Sequence, residues 1–179
     1  MKLSQGLKFG IKEGSMKWAL MAVMFVACVG VGYVLSLKYK KRVDFFSSLI
    51  YLAQKLDVEI NFSRERLKKL IEGFDEKLRK NLNGVDKAFI SYLEGGGELT
   101  AEKLFAKNTL IKSEEKEAIT MFFKSLGRSD VENQSKEIKN SISRFEKFLN
   151  DASLDNKKYG KLGTKLGIIA GIAAILLMI

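Results

Sequence analysis

Twenty consecutive residues, Trp18 to Leu37, carry no charge and are mostly apolar. A helix rises about 1.5 Å per residue, so a run of that length matches the ~30 Å hydrocarbon core of a bilayer. A second uncharged apolar run, Leu166 to Ile179, closes the chain. It is shorter, and reaches eighteen residues when counted from Leu162 with Lys165 snorkelling to the headgroups. Between the two runs lies a charged middle of about 125 residues, enough for a small helical core. The expected division is a tail at 1–15, a transmembrane helix at 16–37, a cytosolic helical domain at 38–161 and a second transmembrane helix at 162–179.

The formal net charge of +10 is concentrated beside the two runs. Lys38, Lys40, Lys41 and Arg42 follow the first; Lys157, Lys158, Lys161 and Lys165 precede or enter the second. These eight are read as membrane-flanking residues that hold the middle on the cytosolic side, in contact with membrane lipid. That topology leaves Lys2, Lys8 and Lys12 outside, against the same bias. Met16 stands just before the first run, and translation from Met16 would remove the conflict. Nucleic acid is not an expected partner, since neither zinc-finger spacing nor an RNP-type aromatic motif is present.

The middle repeats the three-four step of amphipathic helices. Phe46, Leu49, Ala53, Leu56 and Ile60 continue the first span as one helix face. Ser63 is placed to cap a second helix carrying Leu67, Leu70, Ile71, Phe74 and Leu78. Asn83-Gly84 signals a turn, followed by a helix with Val85, Phe89 and Tyr92. Gly95-Gly96-Gly97 is a loop, and Thr100 can cap a short helix through Leu104 and Phe105. Ser113 can cap the next helix, which buries Ala118, Ile119, Phe122 and Leu126 and stops at Gly127. Ser129 and Glu132 form a capping box before a long helix whose stripe is Ile138, Ile142, Phe145, Leu149 and Ala152. The stripe serves either as core or as an oligomer seam, and Phe74 and Phe122 are the expected partners within a core. Gly160 is the expected hinge before the closing run. No run alternates with period two long enough to argue a strand, so the fold class is all-α: a helical-bundle cytosolic domain between two transmembrane helices.

Most catalytic chemistry lacks its residues. The chain has no histidine and one cysteine, Cys28, in mid-span. A His/Cys metal site, a Ser–His pair and a Cys–His pair are therefore all unavailable. The glycine run is not followed by G-K-[ST], so no phosphate-binding loop is formed. Carboxylates are interleaved with lysines as on solvated helix faces. No enzyme, catalytic residue, metal or cofactor is expected. Packing chemistry remains: Gly163, Gly167 and Gly171 recur every four residues, so they share one face of the second span. Small residues there permit close helix contact in lipid. Cys28 and Gly32 form a weaker small-residue pair on the first span.

Three stretches resemble the stage III sporulation protein AB family of endospore-forming bacteria. Leu126-Gly127-Arg128-Ser129-Asp130-Val131-Glu132-Asn133-Gln134 resembles its L-G-x-x-D-x-x-x-Q segment, so Leu126, Gly127, Asp130 and Gln134 carry the motif. Lys165-Leu166-Gly167-Ile168-Ile169-Ala170-Gly171 resembles its closing span, and Leu56-Asp57-Val58-Glu59-Ile60-Asn61-Phe62-Ser63 its L-x-x-E-I-x-[FY] segment. The fifteen-residue N-terminal extension and the absence of proline depart from the pattern. The soluble part of that family is similar to the helical domain of type II secretion and type IV pilus platform proteins. The resemblance implies a platform or adaptor subunit of a channel between mother cell and forespore, located in the mother-cell membrane around the forespore. It also implies as partners the cognate cytosolic ATPase, stage III sporulation protein AA, other channel subunits and possible copies of itself. The competing reading is a stand-alone membrane-anchored scaffold that binds acidic lipid through its basic flanks.

Overall fold

The computed structural model describes residues 13–59, 64–95, 97–106, 110–127 and 131–178. In chain order the helices are α1 (Glu13–Val58), α2 (Arg64–Glu72), α3 (Glu76–Asn81), α4 (Val85–Gly95), α5 (Ala101–Leu104), α6 (Ser113–Ser125), α7 (Val131–Tyr159) and α8 (Leu162–Met178). No strand occurs among the described residues, and the protein is all-helical. Two stretches, within Trp18–Val58 and Glu132–Leu177, are long and apolar enough to cross a membrane. Contacts divide the chain into two compact units, with breaks between Ser36 and Leu37 and between Gly160 and Lys161.

The first unit joins the N-terminal half of α1 to α8. Its outer faces expose Trp18, Val23, Val26, Val31, Ile169 and Leu176. So contiguous an apolar surface is unfavourable in water and suits a hydrocarbon solvent.

The second unit is built on the C-terminal half of α1. Phe46, Leu49, Ala53 and Leu56 are fully buried, and Phe45 and Leu52 are buried beside them. The burial is therefore wider than one stripe, as it must be for a helix with neighbours on two sides. Aromatic side chains link the helices: Phe46 to Phe148 of α7 at 5.7 Å, Phe89 of α4 to Phe123 of α6 at 4.6 Å, and Phe45 to Phe105 after α5 at 6.4 Å.

Several local features differ from the sequence expectation. The face from Leu67 to Leu78 is divided between α2 and α3. The Gly73 N–H bonds the Lys69 carbonyl at 3.0 Å, but the Phe74 N–H turns to the Ile71 carbonyl at 3.3 Å. This tightened turn falls at a glycine, the poorest helix former after proline. The N-cap of α6 is Lys112, one residue before Ser113, because the Glu115 carboxylate reaches back to the Lys112 N–H at 2.9 Å. Thr100 does cap α5, accepting from the Lys103 N–H at 3.4 Å. Asn83 and Gly84 both take positive φ, 52° and 88°, in the turn between α3 and α4. The expected caps at Ser63 and Ser129, the residues Ile60 and Gly96, and the tail at 1–12 lie outside the described residues. α7 ends at Tyr159 and α8 begins at Leu162, so Gly160 falls in the break.

Candidate functional site

In the first unit α1 and α8 meet through backbone. A Cβ built on Gly163 would stand 2.7 Å from the Gly32 carbonyl oxygen, and one on Gly167 would stand 2.7 Å from the Cys28 carbonyl oxygen. One on Gly171 would strike the Phe25 ring at 2.6 Å. The three glycines therefore face α1 of the same chain. Gly32 and Cys28 are their direct counterparts across the seam. In hydrocarbon such close approach supplies dispersion contact that apolar burial cannot. The seam ends in a polar pair. The Ser36 hydroxyl donates to the Gly32 carbonyl at 3.1 Å, lies 3.1 Å from the Thr164 hydroxyl and accepts from the Thr164 N–H at 3.2 Å. Those bonds satisfy groups that hydrocarbon would leave unpaired.

In the second unit Arg42 departs most from expectation. Placed among the membrane-flanking cations by sequence, it is only 6% exposed. Its guanidinium is ion-paired with Glu115 of α6 and, at 2.7 Å, with Asp155 of α7. Its charge also sits 5.8 Å above the Phe46 ring. Glu115 is itself buried and caps α6 with its other oxygen, so one carboxylate serves both the cap and the ion pair. The reason for Arg42's burial is register: 42, 46, 49, 53 and 56 step by four and three, which puts Arg42 on the buried face of α1. That spacing was the available signal. The partners could not be read from it, because they come from helices more than 70 residues away.

The stripe of α7 is divided by depth. Ile138 and Phe145 are buried at 1% and 0% exposure, while Ile142 and Leu149 are partly buried against the same core. Phe145 meets the Phe122 ring edge-on at 5.3 Å. Phe74 is half-buried at the core margin, in the turn between α2 and α3.

The described ends of the L-G-x-x-D-x-x-x-Q segment lie after α6, at Leu126 and Gly127, and in the first turn of α7, at Gln134. Gly127 adopts φ +75°, which side chains disfavour. Its N–H donates to the Gln134 side-chain oxygen at 3.1 Å, and the Gln134 amide donates to the Ser125 carbonyl at 3.4 Å. Gln134, buried at 3% exposure, thus satisfies the backbone at the end of α6, where Leu126 is buried as well. Asp130 lies outside the described residues. Lys38, Lys40, Lys41, Lys157, Lys158, Lys161 and Lys165 are all exposed. Among the described residues no cluster of three or more His, Cys, Asp or Glu could hold a metal ion.

A family model for stage III sporulation protein AB matches residues 17–179. The chain belongs to this family. Stage III sporulation protein AB of Bacillus subtilis (strain 168) is 27% identical over 160 residues, covering 86% of this chain and 93% of the relative. No solved structure matches the chain. Membership ties the bond between Gly127 and Gln134, the close-packed glycines and the helical second unit to a sporulation protein, and the family name carries no catalytic activity.

Proposed function

We propose that this protein is a two-pass membrane subunit that serves as a platform or adaptor in a channel between mother cell and forespore, without catalytic activity of its own. The observation that carries the reading is a pair of membrane-length apolar helices on a sporulation-family chain whose remaining helices form a packed core. Such a unit can position a partner at the membrane, and among the described residues no group of three or more His, Cys, Asp or Glu could hold a metal ion with which to act on one. The cognate cytosolic ATPase and other channel subunits are the proposed partners, and the second unit faces the cytosol where that ATPase works.

The test is affinity purification of the tagged full chain from membranes of sporulating cells. Recovery of the ATPase and other stage III proteins is expected, together with a developmental block after engulfment when the gene is deleted. Recovery of the chain alone, with normal sporulation in the deletion strain, would leave a stand-alone scaffold as the better reading.

A further inference from the structure

Two contacts align the membrane-proximal turn of α1 with the last turn of α7. The Tyr39 and Tyr159 rings lie 5.7 Å apart, and one turn further into the second unit Arg42 holds Asp155 at 2.7 Å. Lys38, Lys40, Lys41, Lys157 and Lys158 surround this seam and are all exposed. Elsewhere on the second unit, lysines such as Lys68, Lys124 and Lys139 stand within 4.0 Å of a carboxylate. The five lysines at the seam have no ion pair among the described residues. The carboxylates closest in sequence are Asp155, which Arg42 already engages, and the half-buried Asp44.

The arrangement discriminates between partners. Successive helix residues are about 100° apart, so Lys40 points away from the neighbouring pair Lys38 and Lys41 around α1, all within roughly 5 Å of height. Lys157 and Lys158 point two ways around α7. A protein partner approaches from one side and would need its cations on one face. A bilayer surface meets every direction at one depth, and tyrosines settle at that depth because their rings are apolar and their hydroxyls wet. Lys158 lies 5.0 Å over the Tyr159 ring, which holds its ammonium at the seam.

We propose that this collar binds the phosphate headgroups of anionic phospholipid, with Lys38 and Lys158 beside the tyrosine seam and Lys40, Lys41 and Lys157 around it. The proposal rests on the reading that the neighbouring apolar helices span a bilayer. The probe is the purified full-length chain in detergent, mixed with equimolar phosphatidylglycerol and phosphatidylcholine, with retained lipid counted by native mass spectrometry. One lysine near an acidic surface is worth roughly fivefold in partitioning, so wild type is expected to retain phosphatidylglycerol over phosphatidylcholine by at least about fivefold. Replacing the five collar lysines with glutamine should bring the ratio near parity. Replacing Lys77, Lys80, Lys87, Lys112 and Lys136 with glutamine should leave it unchanged, although the net charge falls equally. Parity in wild type overturns the proposal, as does an equal loss in the control variant. Displacement of phosphatidylglycerol by millimolar inorganic phosphate would also overturn it, in favour of a free-anion site. Release of the chain from native membranes by alkaline carbonate would refute the spanning reading itself. Retention under carbonate together with lipid parity refutes the collar alone.

Discussion

At the scale of single residues, Arg42 links α1, α6 and α7, and its loss is expected to be costly. Truncating Arg42 to methionine leaves Glu115 buried and without its cation. Breaking a buried pair from one side typically costs about 3–5 kcal/mol, whereas apolar replacement of both partners is often neutral. Arg42→Met should therefore lower the urea midpoint of Leu37–Gly160 produced alone far more than Arg42→Met with Glu115→Gln does, since the glutamine removes the buried charge and keeps an acceptor for the Lys112 N–H. Equal losses would show that the guanidinium contributes only packing. A second residue-scale prediction concerns Glu102. Its carboxyl is held below the ordinary glutamate value, first by its own backbone N–H and then by the Thr100 hydroxyl. A carboxylate with a depressed folded value stabilises α5 above its unfolded value and loses that contribution as pH falls through the folded one. The site is fully exposed, so the effect should appear as a low-pH side-chain carboxyl titration by NMR that Thr100→Val moves upward, with little change in global stability. Sequence reading named Thr100 correctly because a cap acts within three residues. It misplaced Arg42 because charge beside an apolar run suggests a membrane flank, and only the partners from α6 and α7 reveal a buried one.

Among helices and their seams, legibility followed periodicity. The buried face of α1 and the stripe of α7 repeat often enough to be read directly, whereas the division of α2 from α3 depends on a single shifted hydrogen bond at Gly73–Phe74. The burial of Phe145 and its edge contact with Phe122 support the core alternative for the α7 stripe. Phe145→Ala should cost the isolated second unit about 3–5 kcal/mol, a large share of the ~5–15 kcal/mol that holds a small domain together. If the urea midpoint hardly moves while self-association or ATPase binding is lost, the stripe is an interface instead. The α1–α8 seam gives the contrasting case. Spacing by four identified Gly163, Gly167 and Gly171 as one face, but spacing cannot tell whether that face meets α1 or another chain. A leucine at Gly167 has no room beside the Cys28 carbonyl, so Gly167→Leu should separate α1 from α8 while leaving the thermal transition of the second unit in place. Normal disulfide formation between cysteines introduced at Phe25 and Gly171 in that variant would show that the glycine spacing is not required.

For the whole molecule, the proposed topology, with the second unit in the cytosol, rests on charge. Lys38, Lys40 and Lys41 follow the first apolar run and Lys157, Lys158, Lys161 and Lys165 border the second; no acidic residue lies between Asn156 and the chain end. Removing Arg42 from this group, since its charge is neutralised by Glu115 and Asp155, leaves seven exposed cations next to the apolar runs in sequence. The positive-inside bias is counted from lysine and arginine near the span ends, not from net charge, and by that count seven still favour the proposed cytosolic side. Ser91 provides the probe, because it is exposed on α4 in the second unit. In a Cys28→Ala background, Ser91→Cys should resist a membrane-impermeant thiol reagent in intact cells and react fully after lysis. Labelling before lysis would place the second unit outside. It would then be separated from any cytosolic ATPase by the bilayer, and the adaptor reading would fail along with the topology.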